Sequence, residues 1–137
     1  MAKKQQIGEI VWRDLTVKDA PRLRKFYSSV MGWQTSEVPM KDAKGAYADY
    51  CMNLASPGKG KSKKPGETVA GVCHARGVNK KVPPQWMMYV NVKSVKASIA
   101  KAKKLGGKVL DGPRPVGPMV FCIIKDPAGA VIGLIET

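Results

Sequence analysis

The chain has 137 residues, 44% of them hydrophobic, and carries a formal net charge of +14. That length suits one domain around one hydrophobic core, and the apolar fraction excludes general disorder. The 24 Lys and Arg against 10 Asp and Glu attract anions of every kind, from phosphates to nucleic acid, without naming a partner.

The opening MAKKQQ is charged, and no apolar stretch long enough for a signal peptide stands behind it. No run of 18 apolar residues follows anywhere, so the expected location is cytoplasmic. Cys51, Cys73 and Cys122 lie far apart in apolar, strand-like segments, which reads as reduced, buried thiols. A disulfide framework or a cysteine-based zinc site is not expected from that spacing.

Taken in order, GEIVWRDLTV alternates as a strand, with Trp12, Asp14 and Thr16 on one face and Val11, Leu15 and Val17 on the other. The period then changes. Asp19 caps a helix, Pro21 sits in its first turn, and Ala20, Leu23, Phe26, Tyr27 and Val30 form its apolar stripe until Gly32 ends it. Short strands are expected over 33–37, 48–54 and 69–75, interrupted by a solvated Gly-, Pro- and Lys-rich loop over 57–67. WMMYVNV opens another strand, followed by a helix whose Val95, Ile99, Ala102 and Leu105 share a face, and then by strands over 108–110, 119–124 and 130–135.

These pieces repeat. A shift of 75 positions lays Trp12 on Met87, Val17 on Val92, Gly32 on Gly107 and the first helix on the second. The order strand, helix, three strands therefore occurs twice. The reading is one α+β domain over 1–137, built from two tandem βαβββ modules (about 8–75 and about 85–136) that form curved mixed sheets around a cleft.

The segments IVWRDLTVKDAPRLRKFYSSVMGW and WMMYVNVKSVKASIAKAKKLGGKV, closed by KDPAGAVIGLIE, resemble the vicinal-oxygen-chelate superfamily. That group includes glyoxalase I, extradiol dioxygenases and bleomycin-resistance proteins. The resemblance implies a divalent metal in the cleft, held by a histidine five residues before the valine of each module's first strand and by an acid on the last strand. Here those places hold Trp12, Met87 and Gly133, and the remaining place falls near Gly71. One histidine in the whole chain gives no two-histidine site within a subunit. No metal and no cofactor are expected.

By strand alternation Trp12, Asp14, Cys73, Met87, Tyr89 and Asn91 share the proposed cleft as ligand-binding residues. The alternative in which Trp12 and Met87 plug the cleft stays open. Catalytic candidates are Asp14, His74 and Tyr89. His74 stands next to Cys73, so alternation points the two to opposite faces, and a surface histidine is the safer reading unless the strand ends there. Arg76 is near enough to bind an anionic group.

Three functions are weighed. The first is a bleomycin-resistance-like protein that binds a small apolar or aromatic molecule without a catalytic metal. The second is a metal-independent isomerase or lyase using Asp14 or His74. The third is a basic nucleic-acid-binding protein, weakened by the lack of exposed aromatics interleaved with the lysines. A homodimer is also expected, with Trp33, Val82, Trp86 and the pair Pro83-Pro84 supplying apolar surface.

Overall fold

A computed structural model describes residues 4–55 and 66–137. Most of the expected lysine-rich loop lies outside the described residues. In chain order the elements are β1 (Ile10–Val17), α1 (Ala20–Met31), β2 (Gln34–Asp42), β3 (Gly45–Asn53) and β4 (Thr68–His74). A 3-10 turn (Gly77–Asn79) precedes β5 (Trp86–Asn91), α2 (Val95–Lys104), β6 (Lys108–Val116), β7 (Met119–Lys125) and β8 (Val131–Glu136). The fold class is α+β, with the βαβββ order present twice. No helix among the described residues is long and apolar enough to cross a membrane.

The chain divides into two compact units, Asp14–Trp86 and Met1–Arg13 with Met87–Thr137. In the first unit the strand order is β2-β3-β4-β1, with β1 and β4 parallel (Asp14 opposite Gly71, Thr16 opposite Cys73) and the other pairs antiparallel. In the second unit β5-β8-β7-β6 repeats that logic: β5 and β8 are parallel, with Tyr89 opposite Gly133, and the rest antiparallel. The N-terminal segment belongs with the second module. Gly8 N–H donates to the Asn91 carbonyl at 2.7 Å, and Asn91 N–H donates to that of Glu9 at 2.8 Å.

Both helices start and stop where their caps dictate. The Asp19 carboxylate accepts from Arg22 N–H at 3.3 Å, and Gly32, left-handed at φ 74°, closes α1 by donating its N–H to the Ser28 carbonyl. In α2 the Ser94 hydroxyl accepts from Ala97 N–H, Glu136 accepts from Val95 N–H at 2.7 Å, and Lys101, Lys103 and Lys104 complement the helix dipole in the last turn. Strands β2 and β6 run longer than expected and contain Pro39, Pro113 and Pro115. Each is an end strand in its unit's order, where a missing N–H leaves no ladder bond unmade, and β6 absorbs its prolines with two register shifts.

In the first unit α1 covers one sheet face, burying Ala20, Tyr50, Met52, Ala70 and Val72, with Leu23, Tyr27, Trp33 and Trp86 packed around them. Tyr27, Trp33 and Trp86 contact one another at centroid separations of 5.0–6.5 Å. Val82 is buried too. The apolar groups expected to pair two chains, Trp33, Val82 and Trp86, are thus largely used inside the unit. In the second unit Val95, Cys122 and Leu134 form the corresponding core under α2.

Three residues of the expected apolar helix faces lie outside it: Phe26 is 54% exposed, Val30 61% and Leu105 75%. Phe26 sits about 100° from Tyr27 around the helix, at the margin of the covered stripe. Met87, Tyr89 and Asn91 are the buried side of β5. Met52 is fully enclosed, so Met52→Ala should cost about 2–5 kcal/mol in urea unfolding. Phe26→Ala should stay within about 0.5 kcal/mol of the parent.

Candidate functional site

Alternation along β3 puts Tyr50 and Met52 against α1, leaving Tyr47, Asp49 and Cys51 for the opposite face of the first unit's sheet. Register brings Asp14 and Cys51 level with Gly71, and Thr16 level with Cys73. Asp49 is buried, at 6% exposure. Burial of a carboxylate is costly unless its oxygens are bonded, and Asp49 meets that condition at the end of β4. Its Oδ1 accepts from His74 N–H at 2.8 Å and lies 3.2 Å from His74 Nδ1. The Cys73 thiol is hydrogen-bonded to the same carboxylate.

This arrangement depends on where β4 stops. Pairing of β3 with β4 runs as far as Tyr50 opposite Val72, and beyond it the Asp49 side chain receives the amide that a continued ladder would bind. His74 is still paired with Val17 of β1, yet it and Cys73 meet one carboxylate in spite of being sequence neighbours. Its side chain is 13% exposed, which makes it a half-buried group and not a surface histidine. The Tyr47 ring meets the imidazole edge-on at 5.3 Å, and Tyr50 lies tilted at 6.2 Å.

Burial pushes the Cys73 thiol well above its ordinary value of 9.0, and the negative charges of Asp14 and Asp49 push it the same way. Burial likewise raises Tyr47, helped by Asp49 and Asp42. Arg76 stacks on Tyr47 with its guanidinium carbon 4.0 Å from the ring centroid, and it binds Asp42 through two hydrogen bonds of 2.9 and 3.0 Å. Burial opposes ionisation of Asp42, but the Arg76 bond, the amides of Lys44 and Gly45 and the Arg76 charge together hold its carboxyl below the usual range.

The remaining expected site residues lie in the second unit, apart from Asp14, which is half-buried in the first. Trp12 is half-buried and Met87 is 1% exposed. The Asn91 amide donates to the carbonyls of Gln5 and Gln6, and its oxygen accepts from Thr137, so it ties the two chain ends to β5. Tyr89 lies 5.7 Å from the Phe121 ring, and Arg114 covers Phe121 at 4.5 Å while pairing with Asp111 at 3.0 Å. Burial, then the Asp111 charge, raises the Cys122 thiol to about 11.

The metal positions implied by the sequence do not fit a divalent ion. Indole and thioether at Trp12 and Met87 replace imidazoles, and Gly133 has no donor. The space above Gly133 is filled as well, because a Cβ there would fall within the Tyr89 ring. Among the described residues no three His, Cys, Asp or Glu side chains converge as a metal would require.

Sequence reading missed Tyr47, Asp49, Asp42 and the Asp111–Arg114 pair. Asp49 had a detectable signal: a carboxylate in the middle of AYADYCM, in phase with Tyr47 and Cys51.

A βαβββ unit present twice, each with a helix on one sheet face, defines a duplicated α+β fold. The sequence agrees: the Glyoxalase/Bleomycin resistance protein/Dioxygenase superfamily model matches residues 6–134, and the chain belongs to that superfamily. Two curated relatives, from Mycobacterium bovis and Mycobacterium tuberculosis, carry the description "Putative glyoxylase CFP32". Each is 30% identical over 125 residues, covering 90% of this chain and 43% of the relative, so the chain spans less than half the length of those proteins. A Streptomyces coelicolor methylmalonyl-CoA epimerase variant, solved with 2-nitronate-propionyl-CoA, superposes with a TM-score of 0.55 at 14% identity over 96% of both chains. That likeness is one of fold.

Because the thiolate is the nucleophile, a raised Cys73 should react slowly. Iodoacetamide at pH 8 should label native Cys73 at least about tenfold more slowly than the same residue in the unfolded chain, by peptide mass spectrometry. The folded thiol keeps its proton where the unfolded one loses it. Its contribution to stability is therefore complete well below the unfolded value of 9.0 and declines as pH rises through it.

Proposed function

We propose that the chain is a small-molecule-binding member of its superfamily that works without a catalytic metal. The observation that carries this reading is the Tyr89 ring over Gly133, which puts an aromatic wall where the superfamily pattern has an acid. Trp12 and Met87 extend the same replacement of metal donors by apolar, polarisable groups. Within the second unit, Tyr89, Trp12 and Met87 favour a partly apolar or aromatic molecule. The glyoxylase description of the mycobacterial relatives makes small carbonyl compounds a reasonable part of any screen.

The expected result is saturable binding of an aromatic or amphiphilic metabolite, seen as a thermal shift and confirmed by calorimetry, that is unchanged by EDTA. Purified protein should hold well under one equivalent of tightly bound divalent ion. Stoichiometric nickel, zinc, iron or manganese retained through gel filtration would sink this reading.

A second reading, a metal-independent isomerase or lyase, is favoured by the Asp49–His74 contact. With an oxygen acceptor at 3.2 Å, Nδ1 takes the donor role, and Nε2 is left as the ring's proton-accepting atom. This is the orienter–base half of an acid–base pair. Asp14 of the same unit would then have to supply a second group. If this reading holds, an identified ligand should exchange a carbon-bound proton for deuterium in D2O. That exchange should fall by about 100-fold or more in His74→Gln, with ligand affinity largely kept. Undiminished exchange in His74→Gln would exclude the base role.

A further inference from the structure

Among the described residues, one buried side-chain nitrogen or oxygen has no hydrogen-bond partner: Nε of Arg24. Arg24 stands on α1 with its guanidinium carbon 4.7 Å from the Tyr50 ring centroid. The ring engages the guanidinium by a cation–π contact, but it supplies no oxygen to Nε–H. A buried N–H left unbonded is costly, and native structures rarely keep one without a role for it.

This orphan donor belongs to a residue that lines an open surface cavity of about 270 Å3, together with half-buried Ser28 and Thr35 and exposed Lys25 and Ser29. The composition is one-sided. Two cations and three hydroxyls line it, and none of the five residues is acidic. Ser28 already donates its hydroxyl hydrogen to the Trp33 carbonyl at 2.6 Å, which fixes the end of α1 and the start of β2 around the cavity. Ser29 and Thr35 add a hydroxyl from each of those two elements.

We propose that this cavity binds a phosphate group, either inorganic phosphate or the terminal phosphate of a small phosphorylated metabolite. A tetrahedral oxyanion offers acceptors in several directions at once. The guanidinium, the ammonium and the Ser29 hydroxyl come from α1 and the Thr35 hydroxyl from β2, a spread of donors that suits a tetrahedral oxyanion better than a planar carboxylate. The cavity is several times the roughly 30 Å3 share of one water, leaving room for part of a metabolite beyond its phosphate. Arg24 packs on Tyr50, whose ring belongs to the core under α1. The site therefore lies on the opposite sheet face from Asp49 and Cys73, and its failure would leave the proposed function untouched.

The chain's charge of +14 attracts phosphate everywhere, so the test must separate a site from a field. Full-length protein is titrated at constant ionic strength with inorganic phosphate and then with glycerol 3-phosphate. Backbone amides and the Arg24 Nε–H are followed by 15N-resolved NMR. The expected result is saturable shifts confined to residues near 24–29 and 34–36, with a downfield move of Arg24 Nε–H as it gains an acceptor. Arg24→Lys keeps the charge but loses the fork, and should weaken binding by about tenfold. Should Arg24→Lys unfold, Ser29→Ala/Thr35→Val should weaken binding by several-fold while leaving the core intact. A Lys101→Gln/Lys103→Gln control on α2 should bind within about twofold of the parent. Stronger binding of glycerol 3-phosphate than of phosphate would point to a metabolite, and equal binding to the free ion. Non-saturable shifts, an unmoved Arg24 Nε–H, or equal weakening in the α2 control would overturn the proposal.

Discussion

The first unit's polar face is organised by one buried carboxylate. Asp49 reaches from β3 to the end of β4, and a single oxygen receives both the amide and the imidazole of His74. Without that oxygen the amide of His74 would lose its bond just where the β3–β4 ladder has stopped. The same carboxylate binds the Cys73 thiol and helps keep it protonated. Strand termination, histidine orientation and thiol chemistry are therefore three consequences of one contact. Substitution at position 49 should be read as a change to all three.

That dependence explains which parts of the molecule the sequence disclosed. The helices were readable because Asp19, Pro21 and Gly32, and later Ser94 with the lysines of the last turn, are local signals acting within a few residues. The duplication was readable because glycines and apolar positions keep their order across both modules. His74 was not readable in the same way. Its role follows from a residue 25 positions earlier and from the place where β4 stops, and alternation within GVCHARG predicts the opposite geometry. The grouping of the first residues with the second module is hidden for the same reason. The partners of Gly8 and Glu9 on β5 lie more than 80 residues away, and a strand's pattern does not say which neighbour it bonds. The extent of β2 and β6 was underestimated because proline argues against a strand only where an N–H is needed.

Positions 89 and 133 are coupled in a way that neither reveals alone. They face each other in a parallel pair, and the ring of one occupies the space a side chain on the other would need. A carboxylate at 133 would require the Tyr89 ring to leave, and the ring in turn packs on Phe121. The bare glycine at 133 and the aromatic wall at 89 are thus one structural state. An acid placed at 133 alone would meet steric conflict before it met an ion.

The few acids of this basic chain are drawn to specific tasks. Of its 10 Asp and Glu, Asp42, Asp49 and Asp111 form close pairs with Arg76, His74 and Arg114. Each unit holds one arginine over an aromatic ring with an aspartate bonded to its N–H groups: Arg76 over Tyr47 with Asp42, and Arg114 over Phe121 with Asp111. The two arrangements come from non-equivalent places, since Arg76 follows β4 and Arg114 lies within β6. Duplication of the module therefore does not account for them. A half-buried guanidinium needs both a ring to pack against and acceptors for its N–H groups, and the same solution arose at two different places in the fold. Arg24 has the aromatic face without the carboxylate, and that missing third element sets it apart from the other two.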